Sequence, residues 1–264
     1  MSPLPPQRTG TLVLVPNTLD LGTDHEGDLR DVLPQAVIER AAVLGFWVAE
    51  NAKTTRALLK RVSQWVPLAL PLQQIQIQEL PRPAKGGAAP ARATSAPADL
   101  RPLLAPALAG HDVGLLSEAG LPAVADPGAL LVAAAHEAGI AVQPLAGPSS
   151  ITLALAASGL HGQCFAFQGY LPTDPASRAA RLRELESRSA REQQTQIVIE
   201  TPYRNAALAA ALLETLRPET RLSIAHGLTL PGGWCRTRAV RGWRAQLPAF
   251  GDRPLPAVFL WLAT

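Results

Sequence analysis

The most informative segment of the chain is Asp112-Val-Gly-Leu-Leu-Ser-Glu-Ala-Gly-Leu-Pro-Ala-Val-Ala-Asp-Pro-Gly128. Its first five residues, apolar except for Asp112, are typical of a strand buried on both faces, and a helical pattern follows Gly128. The loop between them is rich in glycine and proline and carries two acids, Glu118 and Asp126. Open α/β sheets bind their ligands in loops at this position. The segment therefore predicts either a ligand-binding loop or a tight connection whose acids cap the next helix.

Strand and helix patterns alternate on both sides of this loop. In the first half of the chain they cover residues 11–15, 32–44, 46–50, 54–62, 75–80, 99–109, 112–116, 129–138 and 140–143. Strand followed by helix followed by strand is the rhythm of a parallel sheet. Residues 81–97 combine prolines, alanines and two adjacent glycines, which predicts a loop inserted within this first domain.

The second half of the chain predicts a separate α/β domain. Helices are expected at 150–158, 175–191 and 205–216, and strands at 164–167, 196–200, 221–225 and 257–262. We therefore predict an N-terminal domain over residues 1–146 and a C-terminal domain over residues 147–264.

Composition excludes several classes of protein. Of the 264 residues 47% are hydrophobic and 17% charged, which suits a folded globular chain. The net charge of +3 permits an anionic partner without requiring one. The two cysteines, Cys164 and Cys235, form neither a disulfide framework nor a zinc motif, and we interpret them as buried thiols. The sequence shows neither a signal peptide nor an apolar run of about 18 residues, so we expect a cytoplasmic protein.

A second glycine- and proline-rich loop, Pro144-Leu-Ala-Gly-Pro-Ser-Ser150, follows the next strand and opens another helix. Two such loops after successive strands line the same edge of one sheet. Neither loop contains the Gly-Lys-Ser/Thr signature of phosphate-binding loops or the dinucleotide fingerprint. A ligand at this edge is therefore not expected to be held mainly through phosphate.

These two loops resemble those of the ribosomal small-subunit RNA cytidine 2′-O-methyltransferases, which belong to the tetrapyrrole (corrin/porphyrin) methylase superfamily. The similarity continues in order through Leu14-Val-Pro16, Ala49-Glu-Asn51, Phe165-Ala-Phe-Gln-Gly-Tyr-Leu-Pro172 and Ile199-Glu-Thr-Pro-Tyr-Arg204. It covers most of the chain, and residues 81–97 are the main unmatched piece.

The resemblance implies two α/β domains, the first with a parallel sheet and the second with a mixed sheet. It also implies a homodimer, and S-adenosylmethionine bound in the cleft between the domains. The implied cofactor contacts, most of them through the backbone, are Pro16, Asn17, Glu118, Ala119, Gly120, Val124, Ser150, Ile151, Thr201, Ala225, His226 and Pro256. No metal is required, because a sulfonium donor already carries the activation for methyl transfer.

Residues on the substrate side depart from the family pattern. Glu50-Asn-Ala-Lys53 stands where the relatives carry Glu-Asp-Thr-Arg, and their His-Asp-His-Asn segment has no counterpart near residues 73–80. Their Arg-Glu-Leu-Thr is here His226-Gly-Leu-Thr229. The sequence therefore matches the family pattern more fully in the cofactor loops than in the substrate-side segments.

Four side chains are candidates to assist a ribose hydroxyl: Lys53, Arg56, Arg204 and His226. We assign catalysis to Lys53 and Arg56, and the alternative is that both are solvated charges at a helix start. The arginines of residues 178–191 either contact phosphates or, with the interspersed glutamates, form an ordinary solvated face. The five tryptophans do not cluster in the sequence, so we interpret them as core or interface anchors.

Three functions follow. The first is S-adenosylmethionine-dependent methylation of an RNA ribose 2′-hydroxyl, on a ribosomal RNA substrate. The second is methylation of a tetrapyrrole or another small molecule. The third is a non-catalytic relative that binds S-adenosylmethionine as a sensor or assembly factor.

Overall fold

The computed structural model describes residues 8–20, 23, 25–81, 99–246, 248–252 and 255–264. The chain divides into two compact units. Unit 1 comprises Met1–Gly22 and Glu26–Pro148, and unit 2 comprises Thr23–His25 and Ser149–Thr264. Within the described residues, no helix is long and apolar enough to cross a membrane. Most of the loop predicted at 81–97 lies outside the described residues.

Unit 1 is built on a five-stranded sheet in the order β3-β2-β4-β1-β5. Its strands are β1 (Thr11–Leu14), β2 (Phe46–Ala49), β3 (Gln76–Glu79), β4 (Val113–Leu116) and β5 (Ala141–Pro144). Every neighbouring pair is parallel. The predicted parallel sheet is therefore confirmed.

Helices cover both faces of this sheet, which is why its central strands are apolar throughout. They are α1 (Gln35–Ala42), α2 (Ala52–Val62), α3 (Ala105–Leu108) and α4 (Ala129–Glu137). Residues of α1 and α2 pack with Val13 and Trp47, whereas residues of α3 and α4 pack with Leu12 and Val48. The single helix predicted at 99–109 is instead a 3-10 turn, Arg101–Leu104, followed by the short α3. Pro102 and Pro106 lack the N–H groups that a continuous helix would need there.

Unit 2 is built on a mixed five-stranded sheet in the order β6-β7-β10-β8-β9. Its strands are β6 (Phe165–Phe167), β7 (Thr195–Glu200), β8 (Arg221–His226), β9 (Trp234–Ala239) and β10 (Ala257–Leu262). Only the β6–β7 pair is parallel, and the other pairs are antiparallel. The mixed sheet predicted for the second domain is confirmed.

The helices of unit 2 are α5 (Ser150–Ser158), α6 (Pro175–Glu192), α7 (Asn205–Thr215) and α8 (Val240–Ala245). Residues of α6, α7 and α8 form one core with Phe259 and Trp261, and residues of α5 form another with Val258 and Leu260. Strand β9 and helix α8 were not predicted from the sequence. β9 is a half-buried edge strand that carries Arg236 and Arg238, so its apolar pattern is weak.

Candidate functional site

The strands β1 and β4 are neighbours at the point where the connections of unit 1 diverge. β1 leads through α1 to β2 on one side, and β4 leads through α4 to β5 on the other. The helices α1 and α4 cover opposite faces of the sheet, so a crevice opens at the carboxyl ends of these two strands. Such a switch point is where open α/β sheets bind ligands. The loops after β1 and β4 therefore form the candidate site of unit 1.

Asn17 ties these two loops together. Its side-chain Nδ2 donates hydrogen bonds to the carbonyl oxygens of Ser117 (3.3 Å) and Glu118 (2.9 Å). Its backbone N–H donates to the carbonyl of Gly120 at 2.9 Å. Because Asn17 is buried, these bonds are shielded from competing water and hold the loops in one geometry.

Two glycines make this packing possible. Gly120 has a φ of 67°, and a Cβ there would lie 3.3 Å from both Leu19 Cδ2 and the Pro148 carbonyl oxygen. A Cβ on Gly147, in the loop after β5, would lie 2.2 Å from Pro16 Cβ. The loops after β1, β4 and β5 therefore meet at one edge only because both positions lack a side chain.

Three carboxyl groups lie at the same edge. The backbone N–H of Glu118 donates to Oε2 of Glu50 at 3.2 Å, and Asn51 Nδ2 donates to Oε1 of Glu118 at 2.9 Å. Burial, followed by repulsion from Glu50 and Glu118, raises the pKa of Asp126 to about 7. Beside them the hydroxyl of Ser117 is buried without a hydrogen-bond partner among the described residues. This edge concentrates negative charge and suits a ligand that brings positive charge and hydrogen-bonding hydroxyls.

Replacing Asp126 with asparagine should stabilise the protein near neutral pH. A carboxyl group whose pKa is raised to about 7 binds its proton more tightly in the folded chain than in the unfolded one. Folding stability therefore falls as the pH rises from about 4 to about 7. Each pKa unit corresponds to about 1.4 kcal/mol, and water screens part of the repulsion at this half-buried side chain, so we expect a gain of about 2 kcal/mol.

Urea unfolding of the parent and of Asp126→Asn at about pH 5 and about pH 8 measures this effect. The parent should lose more stability than the variant between the two conditions. An identical pH dependence for both chains would contradict the proposed repulsion.

The predicted cofactor residues of unit 2 also lie together at one sheet edge. Strands β7 and β8 end there and the antiparallel β10 begins there, since Ala257 is paired with both Glu200 and His226. This register brings together the predicted positions Thr201, Ala225, His226 and Pro256. The predicted residues Ser150 and Ile151 begin α5, where Ile151 packs in one core with Ala225 and Val258.

His226 is buried and has no charged role in this geometry. Its Nε2 accepts a hydrogen bond from the backbone N–H of Leu255 at 3.1 Å, and its ring packs against Trp234 and Phe250. Burial lowers the pKa of His226, so the ring is neutral and carries its proton on Nδ1. The Nδ1 atom has no partner among the residues described. The side chain therefore holds the turn before β10, and a cofactor contact at this position stays a prediction.

The charge of Arg204 is neutralised by Glu200, four residues earlier in the chain. Arg204 forms an ion pair with Glu200 at 2.8 Å, and its Nε also donates to Thr201 Oγ1 at 3.2 Å. Because Glu200 is buried, this arginine is committed to satisfying that carboxylate. It is therefore a weaker candidate for contact with a substrate.

Lys53 and Arg56 are exposed at the start of α2, directly after the carboxyl end of β2. Asn51 caps this helix through its Oδ1, which accepts from the Lys53 N–H at 2.9 Å, and its Nδ2 contacts Glu118. One side chain thus fixes the start of α2 against the acidic loop. Within the described ranges, the charged groups of Lys53 and Arg56 have no hydrogen bond or ion pair, so both cations are available at this edge. Their catalytic role stays a prediction.

The described residues contain no group of histidine, cysteine, aspartate and glutamate side chains that could hold a metal ion. These features define a class of protein: a two-unit α/β chain with a group of carboxyl groups at the switch point of a parallel sheet. The model of one family, the Tetrapyrrole (Corrin/Porphyrin) Methylases, matches residues 35–235. The chain belongs to this family.

Individual relatives carry a more specific name. The chain is 40% identical over 139 residues to Ribosomal RNA small subunit methyltransferase I of Mesorhizobium japonicum, an alignment that covers 53% of this chain and 46% of the relative. It is 33% identical over 203 residues to the protein of the same name from Synechocystis sp., covering 77% and 64% respectively. The alignments thus span about half the length of these curated relatives.

Among solved structures, that of uroporphyrin-III-C-methyltransferase from Thermus thermophilus aligns with 96% of this chain and 92% of its own. The TM-score is 0.49 and the sequence identity is 21%. A similarity at this level does not bear on the substrate.

Proposed function

We propose that this chain is an S-adenosylmethionine-dependent methyltransferase that methylates a ribose 2′-hydroxyl of small-subunit ribosomal RNA. Membership of the methylase family supports methyl transfer, and the names of the relatives support ribosomal RNA as the acceptor. The observation that carries the proposal is the group of Glu50, Glu118 and Asp126 at the switch point of the parallel sheet. It places negative charge where a cationic nucleoside would bind.

The residues present at this edge fit S-adenosylmethionine. The cofactor bears positive charge on its sulfonium and amino groups and has two ribose hydroxyls, which match carboxylates and backbone carbonyls. Asn17 fixes the backbone of the loops, and Gly120 keeps free the space that a side chain would occupy beside Leu19. From unit 2 we propose contacts at Ser150, Ile151, Thr201, Ala225, His226 and Pro256.

When bound, S-adenosylmethionine supplies a methyl group that its sulfonium already activates for in-line displacement. The task left to the chain is to align the acceptor oxygen and to stabilise the negative charge that forms on it as the hydroxyl proton passes to water. The free cations Lys53 and Arg56 are proposed for that stabilisation, and Asn51 holds their helix beside Glu118. The acidic loop positions the cofactor and takes no part in the displacement.

The test is calorimetric titration with S-adenosylmethionine and with S-adenosylhomocysteine, followed by transfer of a tritiated methyl group. Small ribosomal subunits, total RNA and a small-molecule extract are the acceptors. Saturable binding with label in ribosomal RNA is expected. Label only in small molecules would favour a tetrapyrrole or other small acceptor, and binding without transfer would favour a non-catalytic relative. Absence of binding would contradict the proposed cofactor site.

We also propose a homodimer, on the resemblance to the family, and a cytoplasmic location, which the names of the relatives support. Light scattering on the purified chain tests the first, because a dimer has twice the chain mass of 27.9 kDa. A monomeric mass would overturn that part of the proposal.

A further inference from the structure

The edge strand β9 carries basic and aromatic side chains on one face. Side chains alternate along a strand, so Trp234, Arg236 and Arg238 share a face and Cys235 and Thr237 share the other. Thr237 Oγ1 donates to the carbonyl of residue 158, at the end of α5, and Cys235 packs against the core that α5 covers. The tryptophan and the two arginines therefore lie on the face that α8 covers.

A cavity of about 210 Å³ opens on this face. Its lining residues are Trp234, Arg236, Arg238, Trp243, Gln246, Pro248 and Ala249. Pockets that enclose whole small molecules are commonly about 300–1,000 Å³, so this cavity suits one part of a larger ligand. Its walls are aromatic and cationic, and no carboxylate among the described residues lines it.

The walls are held in place by packing and hydrogen bonds. Trp234 lies against His226, with ring centroids 5.5 Å apart, and against Phe250 at 6.2 Å. Trp243 is buried and donates from Nε1 to the carbonyl of Leu222 at 2.9 Å. The rings of Trp234 and Trp243 are 6.5 Å apart, and both belong to or pack against the core of unit 2, as the interpretation of the tryptophans as core anchors predicts. This contact arises because α8 packs on β9, which the sequence alone did not predict.

The two arginines keep their charge available. The guanidinium of Arg236 lies 5.3 Å from the Trp234 ring centroid, and that of Arg238 lies 5.3 Å from that of Trp243. Arg238 donates to Gln246 Oε1 at 2.7 Å, and neither arginine has a carboxylate partner in the part of the chain that the structure describes. A guanidinium group that lies over an aromatic ring and has no carboxylate partner is available to form an ion pair with a phosphate.

Three of the five arginines of α6 differ in this respect. Arg181 pairs with Glu184 at 2.7 Å, and Arg188 and Arg191 pair with Glu192 at 2.9 and 2.8 Å. This pairing favours the solvated-face interpretation of that helix. Among the described residues of unit 2, Arg236 and Arg238 of β9 lie against aromatic rings and have no carboxylate partner.

We propose that the cavity between β9 and α8 binds an unpaired base of single-stranded RNA together with a neighbouring phosphate. The inference rests on the proposed function, since it names a contact for the RNA acceptor. Sequence-specific RNA recognition uses unstacked bases placed on aromatic or guanidinium planes, and Trp234 and Arg236 offer both. Arg238 is available to the phosphate, and the amide of Gln246 is available to the polar edge of the base.

The test measures, by fluorescence anisotropy and without cofactor, the affinity for a labelled short single-stranded oligoribonucleotide. The affinity for the matched RNA duplex is measured for comparison. Trp234→Leu should weaken binding of the single strand by at least about fivefold, because base stacking on an aromatic ring is lost. Arg236→Gln and Arg238→Gln should each lower the slope of log affinity against log salt by about one. Arg236 is exposed and Arg238 half-buried, so these two changes keep the test valid if Trp234→Leu fails to fold.

Arg241→Gln is the matched control. Arg241 is exposed on α8 and pairs with Glu219 at 2.5 Å. Its replacement by glutamine changes the net charge by the same amount as the two cavity substitutions of arginine. The Arg241→Gln variant should bind RNA like the parent. A loss equal to that of Arg236→Gln, or equal binding of duplex and single strand, would overturn the inference.

The outcome can be separated from that of the proposed function. Parent-like RNA binding by all three cavity variants, in a chain that labels ribosomal RNA, would overturn this inference alone. A parent chain that binds S-adenosylmethionine but labels only small molecules and binds no RNA would overturn both. Binding of polyglutamate in preference to RNA would identify an acidic protein as the partner and overturn the inference.

Discussion

We expect Gly120→Val to abolish saturable binding of S-adenosylmethionine. The valine Cβ would lie 3.3 Å from Leu19 Cδ2 and from the Pro148 carbonyl oxygen, and its methyl groups would extend further into the space between the loops. The residue would also have to keep a φ of 67°, which costs an L-residue with a side chain about 1–2 kcal/mol. Either effect moves the backbone that Asn17 holds. Calorimetric titration measures the loss.

Gly139→Val separates crowding at the site from backbone strain. Gly139 has a φ of 70° and a Cβ there would meet nothing within 4 Å, so this variant carries the same strain away from the loops. It should lose stability in urea unfolding yet bind S-adenosylmethionine like the parent. Normal binding by a folded Gly120→Val would show that the site has been placed wrongly. If that variant does not fold, Gly120→Ala applies a smaller version of the same test.

The fold was predictable where local pattern and burial coincide. Strands β1, β2 and β4 are apolar because helices cover both faces of their sheet, and glycine- or proline-rich loops mark their ends. Strand β9 escaped prediction because this edge strand is only half-buried, and Arg236 and Arg238 interrupt its apolar pattern. The break in the helix predicted at 99–109 was also missed, because its apolar residues keep a helical spacing. That spacing does not show that two prolines lack the N–H groups that a continuous helix needs.

The site was predictable only in part, because spacing along the chain does not show which loops meet. Glu118 and Asp126 stood out within one glycine-rich loop, whereas Glu50 joins them only after β2 and β4 pair. The raised pKa of Asp126 depends on that meeting of carboxyl groups. The close approach of Gly147 to Pro16 likewise requires β1 and β5 to be neighbours. The family resemblance implied Pro16, Glu118 and Gly120 as cofactor contacts, whereas the folded sheet brings Glu50 and Gly147 to the same edge.

Lys53→Ala should leave S-adenosylmethionine affinity unchanged and lower kcat for methyl transfer about 100-fold. Removing one preorganised donor from a developing oxyanion commonly costs about 100- to 1,000-fold in kcat. The Lys53 side chain has no other partner among the residues the structure describes, and its N–H would still be capped by Asn51. Alanine also favours the helix, so α2 should persist. Single-turnover transfer and calorimetry on the same preparation measure the two quantities.

Lys60→Ala is the control that gives the first result its meaning. Lys60 is exposed in the last turn of the same helix. Lys60→Ala removes the same charge as Lys53→Ala, so it tests whether α2 contributes only a general positive field. A general field would make both variants lose transfer to a similar and salt-sensitive degree, because exposed charges are screened over about 10 Å at 0.1 M salt. A specific contact would make only Lys53→Ala defective. Parental turnover by Lys53→Ala would remove the residue from the mechanism and leave Arg56, one turn further along α2, as the remaining cation to test.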